Sequence, residues 1–184
     1  MAPRARFDAT AITLHWLIAV AILGLLVAGF VMTGMKPGSP QQFQLYQIHK
    51  SVGMLVLALS LVRLGWRLGH PPPPPPVAMS ALERGAAHLA HWVLYGLMLA
   101  MPLAGWAAVS TSPFNIPTVL FGLIGLPHLP LPRDANAFAK LTHLTGAWIM
   151  IVTLLGHAGA ALRHHFILRD DVLLRMLPRL ERKS

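Results

Sequence analysis

Ten histidines in a 184-residue chain that is 55% hydrophobic and 11% charged are the side chains best able to do chemistry. A neutral imidazole binds metal through one ring nitrogen, and an ionisable group in an apolar segment is costly unless something uses it. His143 and His157 lie within LTHLTGAWIMIVTLLGHAGAAL, the run from Leu141 to Leu162. The two are 14 residues apart. On a helix that spacing returns to within roughly 40° of the same face, about 21 Å further along the axis. One helix face therefore offers an imidazole near each end of a membrane span.

The elements that must position these rings are membrane helices. Soluble domains carry roughly 25% charged residues, more than twice the share found here, so the composition predicts an integral membrane protein. Apolar runs long enough to cross occur at about 10–33, 44–67, 86–109 and 141–163. About 20 residues at ~1.5 Å each traverse a ~30 Å hydrocarbon core. The first run holds His15 and lacks a small-residue cleavage site after it, so it is a retained span rather than a signal peptide. Asp8 or Thr10 is expected to cap it. Six prolines, Pro71 to Pro76, form a stiff linker between the second and third spans. Pro102 is expected to kink the third. An outer loop over 110–139 contains Val119 to Leu126, too short to cross and expected at the interface. A basic tail over 164–184 has an amphipathic stretch from Val172 to Leu180. The whole chain reads as one integral membrane domain.

Lys and Arg fix the orientation. Arg4, Arg6, Arg63, Arg67, Arg84, Arg163 and the tail fall on one side; Lys36, Lys50, Arg133 and Lys140 fall on the other. The positive-inside rule places both termini and the proline linker in the cytoplasm. The net charge of +9 is thus topological, and nucleic acid is not a partner. The fold class is an all-α membrane protein, a four-transmembrane-helix bundle.

In that topology His15 and His157 share the inner depth, while His49 and His143 share the outer depth. Two pairs at matched depths suit two haems of type b, each held between two histidines inside the bundle. The absence of cysteine excludes thiolate metal sites, disulfides and covalent CxxCH haem attachment. Gly29 follows His15 by 14 residues and Arg63 follows His49 by 14. The glycine would admit a flat ring near the outer level, and the arginine would pair with a propionate near the inner one. Gly53 and Gly146 lie one turn from His49 and His143. Lys50 is either a snorkelling interfacial lysine or an attractor for outer propionates or a small anion. His88 and His91, at i, i+3, suit a zinc site or compete as ligands for the inner haem. His164 is seven residues past His157 and is either a surface histidine or a donor to a quinone carbonyl.

These segments, LHW around His15, HKSVG from His49, LVRL around Arg63 and AHLAHWVLYGLMLAMPLAGW around His88 and His91, together with the His143 to His157 spacing, resemble bacterial cytochrome b561. The likeness covers nearly the whole chain except the proline run and the basic tail, and its closest pattern is that of the diheme superoxide oxidases. It implies the ligand pairs His15 with His157 and His49 with His143, and a quinone position at His164. It also implies electrons taken from superoxide at the outer face of the bacterial inner membrane and passed to ubiquinone near the cytoplasmic face. Lys36, Lys50, Arg133 and Lys140 would then steer the anion. Related cytochrome b subunits share this pattern, so an electron-transfer anchor for a partner dehydrogenase or hydrogenase subunit is the second expectation. A metal transporter using the histidines as zinc or copper steps is a third, which the shortage of intramembrane carboxylates disfavours.

Overall fold

The computed structural model describes residues 6–74 and 79–178. Arg4, Pro75, Pro76 and the end of the basic tail therefore lie outside the described residues. The chain runs through four long helices, α1 (Ala9–Gly34), α2 (Pro40–Gly69), α3 (Ala81–Ser110) and α4 (Asn136–Arg163). All four are long and apolar enough to cross a membrane. The protein is a multi-pass membrane protein built as a four-span bundle.

The helices α1, α2 and α3 each begin where a polar side chain satisfies a free backbone N–H, whereas α4 follows directly from a 3-10 turn with Ala135 at its cap position. Asp8 caps α1 by accepting from the Ala11 amide at 2.9 Å, and its carboxylate also accepts from the Trp66 indole at 3.1 Å. Ser39 caps α2, with Pro40 in the first turn. Ser80 and Glu83 form a reciprocal capping box on α3, and the other Glu83 oxygen accepts from Arg163 at 2.9 Å. Polar first turns are thus recruited into α2, α3 and α4, which start four to five residues before the apolar runs.

The amide of Ala11 holds the Asp8 carboxyl below its usual value, and the indole adds to this. A lowered folded-state value means the cap's stabilisation is complete above the ordinary carboxylate value near 3.8 and is lost as pH falls through the lowered one. Asp8→Ala should therefore lower the melting temperature at neutral pH, by about 1 kcal/mol of helix stability. The gap from the parent should close on strong acidification.

α4 packs along α3, α3 along α2, and α2 along α1, while α4 makes no comparable backbone packing against α1 or α2. Buried Ile18, Ile22, Val56, Met98 and Met150 form the core at mid-height. Three of them complete a seven-residue rhythm: His15–Ile22–Gly29, His49–Val56–Arg63 and His143–Met150–His157. Each middle member sits two turns, about 10 Å, from the histidine that starts its row. An apolar layer therefore separates the two histidine levels. Met150→Ala opens that layer, and we expect a loss on the order of 2 kcal/mol, read as a lower thermal midpoint.

The connection between α3 and α4 is more ordered than an apolar patch resting at an interface. Strands β1 (Thr118–Leu120) and β2 (Ile124–Leu126) pair antiparallel, with Thr118 opposite Leu126. Phe121 and Gly122 at the tip both take positive φ. Ser51 of α2 accepts from the Phe121 amide at 2.9 Å, and Gln47 and Lys50 donate to the Pro117 carbonyl at 3.0 and 3.1 Å. Asn136 ties the start of α4 to the end of α3 through the Ala108 carbonyl, at 2.8 Å.

At the opposite end α4 finishes in a π turn, His164–Leu168, followed by Arg169 in the left-handed region. The tail then turns back as a 3-10 turn, Leu174–Met176, within the amphipathic stretch, whose last residues lie outside the described ones. Backbone groups need partners, and the bundle end supplies them. The Phe7 amide donates to the Arg175 carbonyl at 3.4 Å and the Trp16 indole to the Met176 carbonyl at 2.7 Å. Arg6 donates to the Leu177 carbonyl. Arg175 pairs with Asp171 at 3.0 Å and donates to the Pro74 carbonyl. The N-terminal segment, the proline run and the tail therefore meet at one end of the bundle.

Candidate functional site

Two histidine pairs cross the gap that α4 leaves against α1 and α2. The His15 and His157 rings have centroids 6.2 Å apart and planes at 66°. The His49 and His143 rings repeat this at 6.2 Å and 69°. A metal ion bound at about 2.0 Å by one nitrogen of each ring would set the centroids about 6.3 Å apart. Both pairs thus stand at the separation of a bis-imidazole metal centre. The first lies at the end shared by the termini, the second at the end carrying the hairpin.

At the hairpin end the ring environment supports such a centre. Nδ1 of His143 lies 3.0 Å from the Met101 carbonyl, the contact of an N–H donor. A proton on Nδ1 leaves Nε2 with its lone pair free for metal. Nδ1 of His49 is buried without a hydrogen-bond partner among the described residues. A buried ring nitrogen with no protein partner is a donor atom that a metal would satisfy. Gly29 lies against the His49 ring, where a Cβ would stand 3.9 Å from Cε1. The space over Gly53 is open. Lys50 is half-buried and engaged by Pro117, whereas Lys36, Arg133 and Lys140 are exposed.

The other end is richer in cations. Arg63, half-buried, donates through Nη1 to the Ala11 carbonyl at 3.1 Å and through Nε to the Tyr95 hydroxyl at 3.2 Å. Of its five N–H groups, others remain for a carboxylate such as a propionate. The Arg67 guanidinium lies over the Tyr95 ring at 5.7 Å. His91 joins this group, its ring 5.3 Å from that of His157. His88 does not: it is exposed and bonded to the Arg84 carbonyl at 3.2 Å. His164 is buried at 5% exposure, and its Nδ1 lies 2.5 Å from the Asp170 carboxylate. Tyr95 and Asp170 were not legible as site residues. Only the tertiary contacts single them out.

The family profile for prokaryotic cytochrome b561 matches residues 6–179. The chain belongs to the prokaryotic cytochrome b561 family. It is 33% identical over 173 residues to "Cytochrome b561 homolog 2" of Escherichia coli, covering 94% of this chain and 91% of that one. It is 35% identical over 175 residues to "Cytochrome b561 homolog 1" of the same organism, covering 95% and 98%. It is 33% identical over 175 residues to "Probable superoxide oxidase CybB" of Yersinia pestis, covering 95% and 97%. As a cytochrome b561 the protein binds b-type haem and transfers electrons within a membrane. The matched span takes in the proline run and most of the tail, the two stretches that the sequence pattern alone left outside the likeness.

Proposed function

We propose that the chain is a diheme cytochrome of the bacterial inner membrane that oxidises superoxide at the hairpin end and reduces ubiquinone at the end shared by the termini. The observation that carries this reading is the repeated 6.2 Å histidine pair at opposite ends of one bundle. The name of the Yersinia relative supports the choice of donor. The excess of Arg around the terminal end supports a cytoplasmic location for it.

When bound, each haem supplies a one-electron iron couple. His15 with His157 and His49 with His143 would hold the two groups, and an iron held by two imidazoles would favour electron transfer over oxygen binding. Lys36, Lys50, Arg133 and Lys140 draw a small anion toward the hairpin end. Arg63, with Tyr95 and Arg67 around it, supplies donors for propionates at the inner level. His164, whose Nδ1 lies against the Asp170 carboxylate, is the candidate group to donate a proton to a quinone oxygen through Nε2. The reaction balances as two superoxide anions plus quinone and two protons giving two dioxygen and one quinol.

Two measurements test this. Pyridine-haemochrome counting should return about two haems per chain with low-spin bis-histidine bands. Stopped-flow mixing of the oxidised protein with superoxide should reduce those bands, and a ubiquinone analogue should reoxidise them. A haem-loaded chain left oxidised by superoxide would instead assign the relay role of an anchor subunit to a partner enzyme.

A further inference from the structure

The packing of α3 on α4 at the hairpin end is reciprocal. Met101 of α3 inserts its thioether against Gly146 of α4, so closely that any Cβ there would collide with Sδ. In return His143 of α4 inserts its ring against Gly105 of α3, where a Cβ would stand 3.1 Å from Cε1 and 3.3 Å from Nδ1. Met101 and Gly105 are four residues apart and share one helix face. The same Met101 that fills the Gly146 notch also presents its carbonyl to Nδ1 of His143, at 3.0 Å. Each glycine thus removes the atom that would hold the other helix's side chain away. Pro102, directly after Met101, lies inside the continuous helix α3 at this level and offers no backbone N–H to the Met98 carbonyl one turn before it.

We infer that Gly105 is a positioning residue for the outer haem: its missing side chain is the notch that seats the His143 imidazole on the Met101 carbonyl. That seat fixes the ring's plane and its protonated nitrogen, and thereby directs Nε2 toward His49. An alanine at 105 meets two ring atoms more tightly than nearly all Cβ contacts in proteins, and the ring must give by a few tenths of an ångström. The hydrogen bond to Met101 then lengthens or breaks. Partners that orient a metal-binding histidine in this way commonly govern metal affinity by 10- to 100-fold, roughly. The inference rests on reading His49 and His143 as an axial pair, which the haem count of the parent protein tests separately.

The experiment compares Gly105→Ala and Gly105→Val with Gly96→Ala, a glycine of the same helix that faces open space. Each purified protein is assayed for haem per chain, low-spin electron paramagnetic resonance signals and a redox titration. Gly105→Ala is expected to move the g values and midpoint potential of one haem, and to weaken retention of that haem about tenfold, with the other unchanged. Gly105→Val is expected to lose the outer haem. Gly96→Ala is expected to match the parent in every readout. Two unaltered haems in Gly105→Ala would overturn the inference, as would selective damage to the inner haem. If Gly105→Val fails to fold, the alanine variant decides through its spectra.

Discussion

Alanine at either His49 or His143 is expected to remove the outer haem and leave the inner one, so that haem per chain falls from about two to about one. The converse holds for His15 and His157. The argument is geometric. Each 6.2 Å pair is built from two different helices, and within each pair both imidazoles are needed for a low-spin centre. The two levels are separated by the layer of Ile22, Val56 and Met150, so a lost ligand at one level has no substitute from the other. Loss of the same spectral component from His49→Ala and His15→Ala would contradict the pairing. The inner level carries an asymmetry. His91 stands 5.3 Å from His157, and among the described residues no third histidine ring stands comparably beside His143. His157→Ala is therefore expected to retain more inner haem than His15→Ala, and adding His91→Ala to His157→Ala should abolish the remainder. Haem counting with absorption spectra of the single and double variants measures this.

The four helices and the two histidine levels were legible in the sequence because both depend only on chain-local regularities. Apolar runs of spanning length declare helices, and a 14-residue spacing declares a face whatever the helix packs against. The same logic placed Gly29 at the outer depth, where the His49 ring lies beside it. What escaped depends on contacts between distant segments. Residues 118–126 carry a continuous apolar pattern, and their hairpin is pinned by Ser51, Gln47 and Lys50 from a helix almost 70 residues away. The tail's amphipathic pattern was real, but its backbone found partners on Phe7 and Trp16 and folded against the bundle end. Gly105 was invisible because glycines pack spanning helices routinely, and only the His143 ring in its notch sets it apart. The middle residues of the seven-residue rows were overlooked for a similar reason. Ile22, Val56 and Met150 look like any other apolar residue until burial places them between the histidine levels.

Charge reversal at the hairpin end carries the second large effect. Lys36, Arg133 and Lys140 are exposed, and Lys50, half-buried, is fixed on the Pro117 carbonyl near His49. Near this end of the chain the described acidic side chain in sequence is Asp134, so the local balance is positive. A small anion approaching such a surface is concentrated by its field, and steering of this kind is worth roughly 10- to 1000-fold in association rate at low ionic strength. Lys36→Glu, Arg133→Glu and Lys140→Glu combined, with Lys50 left in place to hold the loop, is expected to slow reduction by superoxide at least tenfold at about 10 mM salt. At about 1 M salt the Debye length shrinks to roughly 3 Å and the difference should vanish. Reduction by dithionite at fixed ionic strength, haem content and the spectra of both levels serve as controls for damage. A rate that stays level in the triple variant, and across salt in the parent, would remove steering from the mechanism while leaving the histidine pairs untouched. A rate that falls in the variant but does not recover with salt would locate the effect in a local contact rather than in the field.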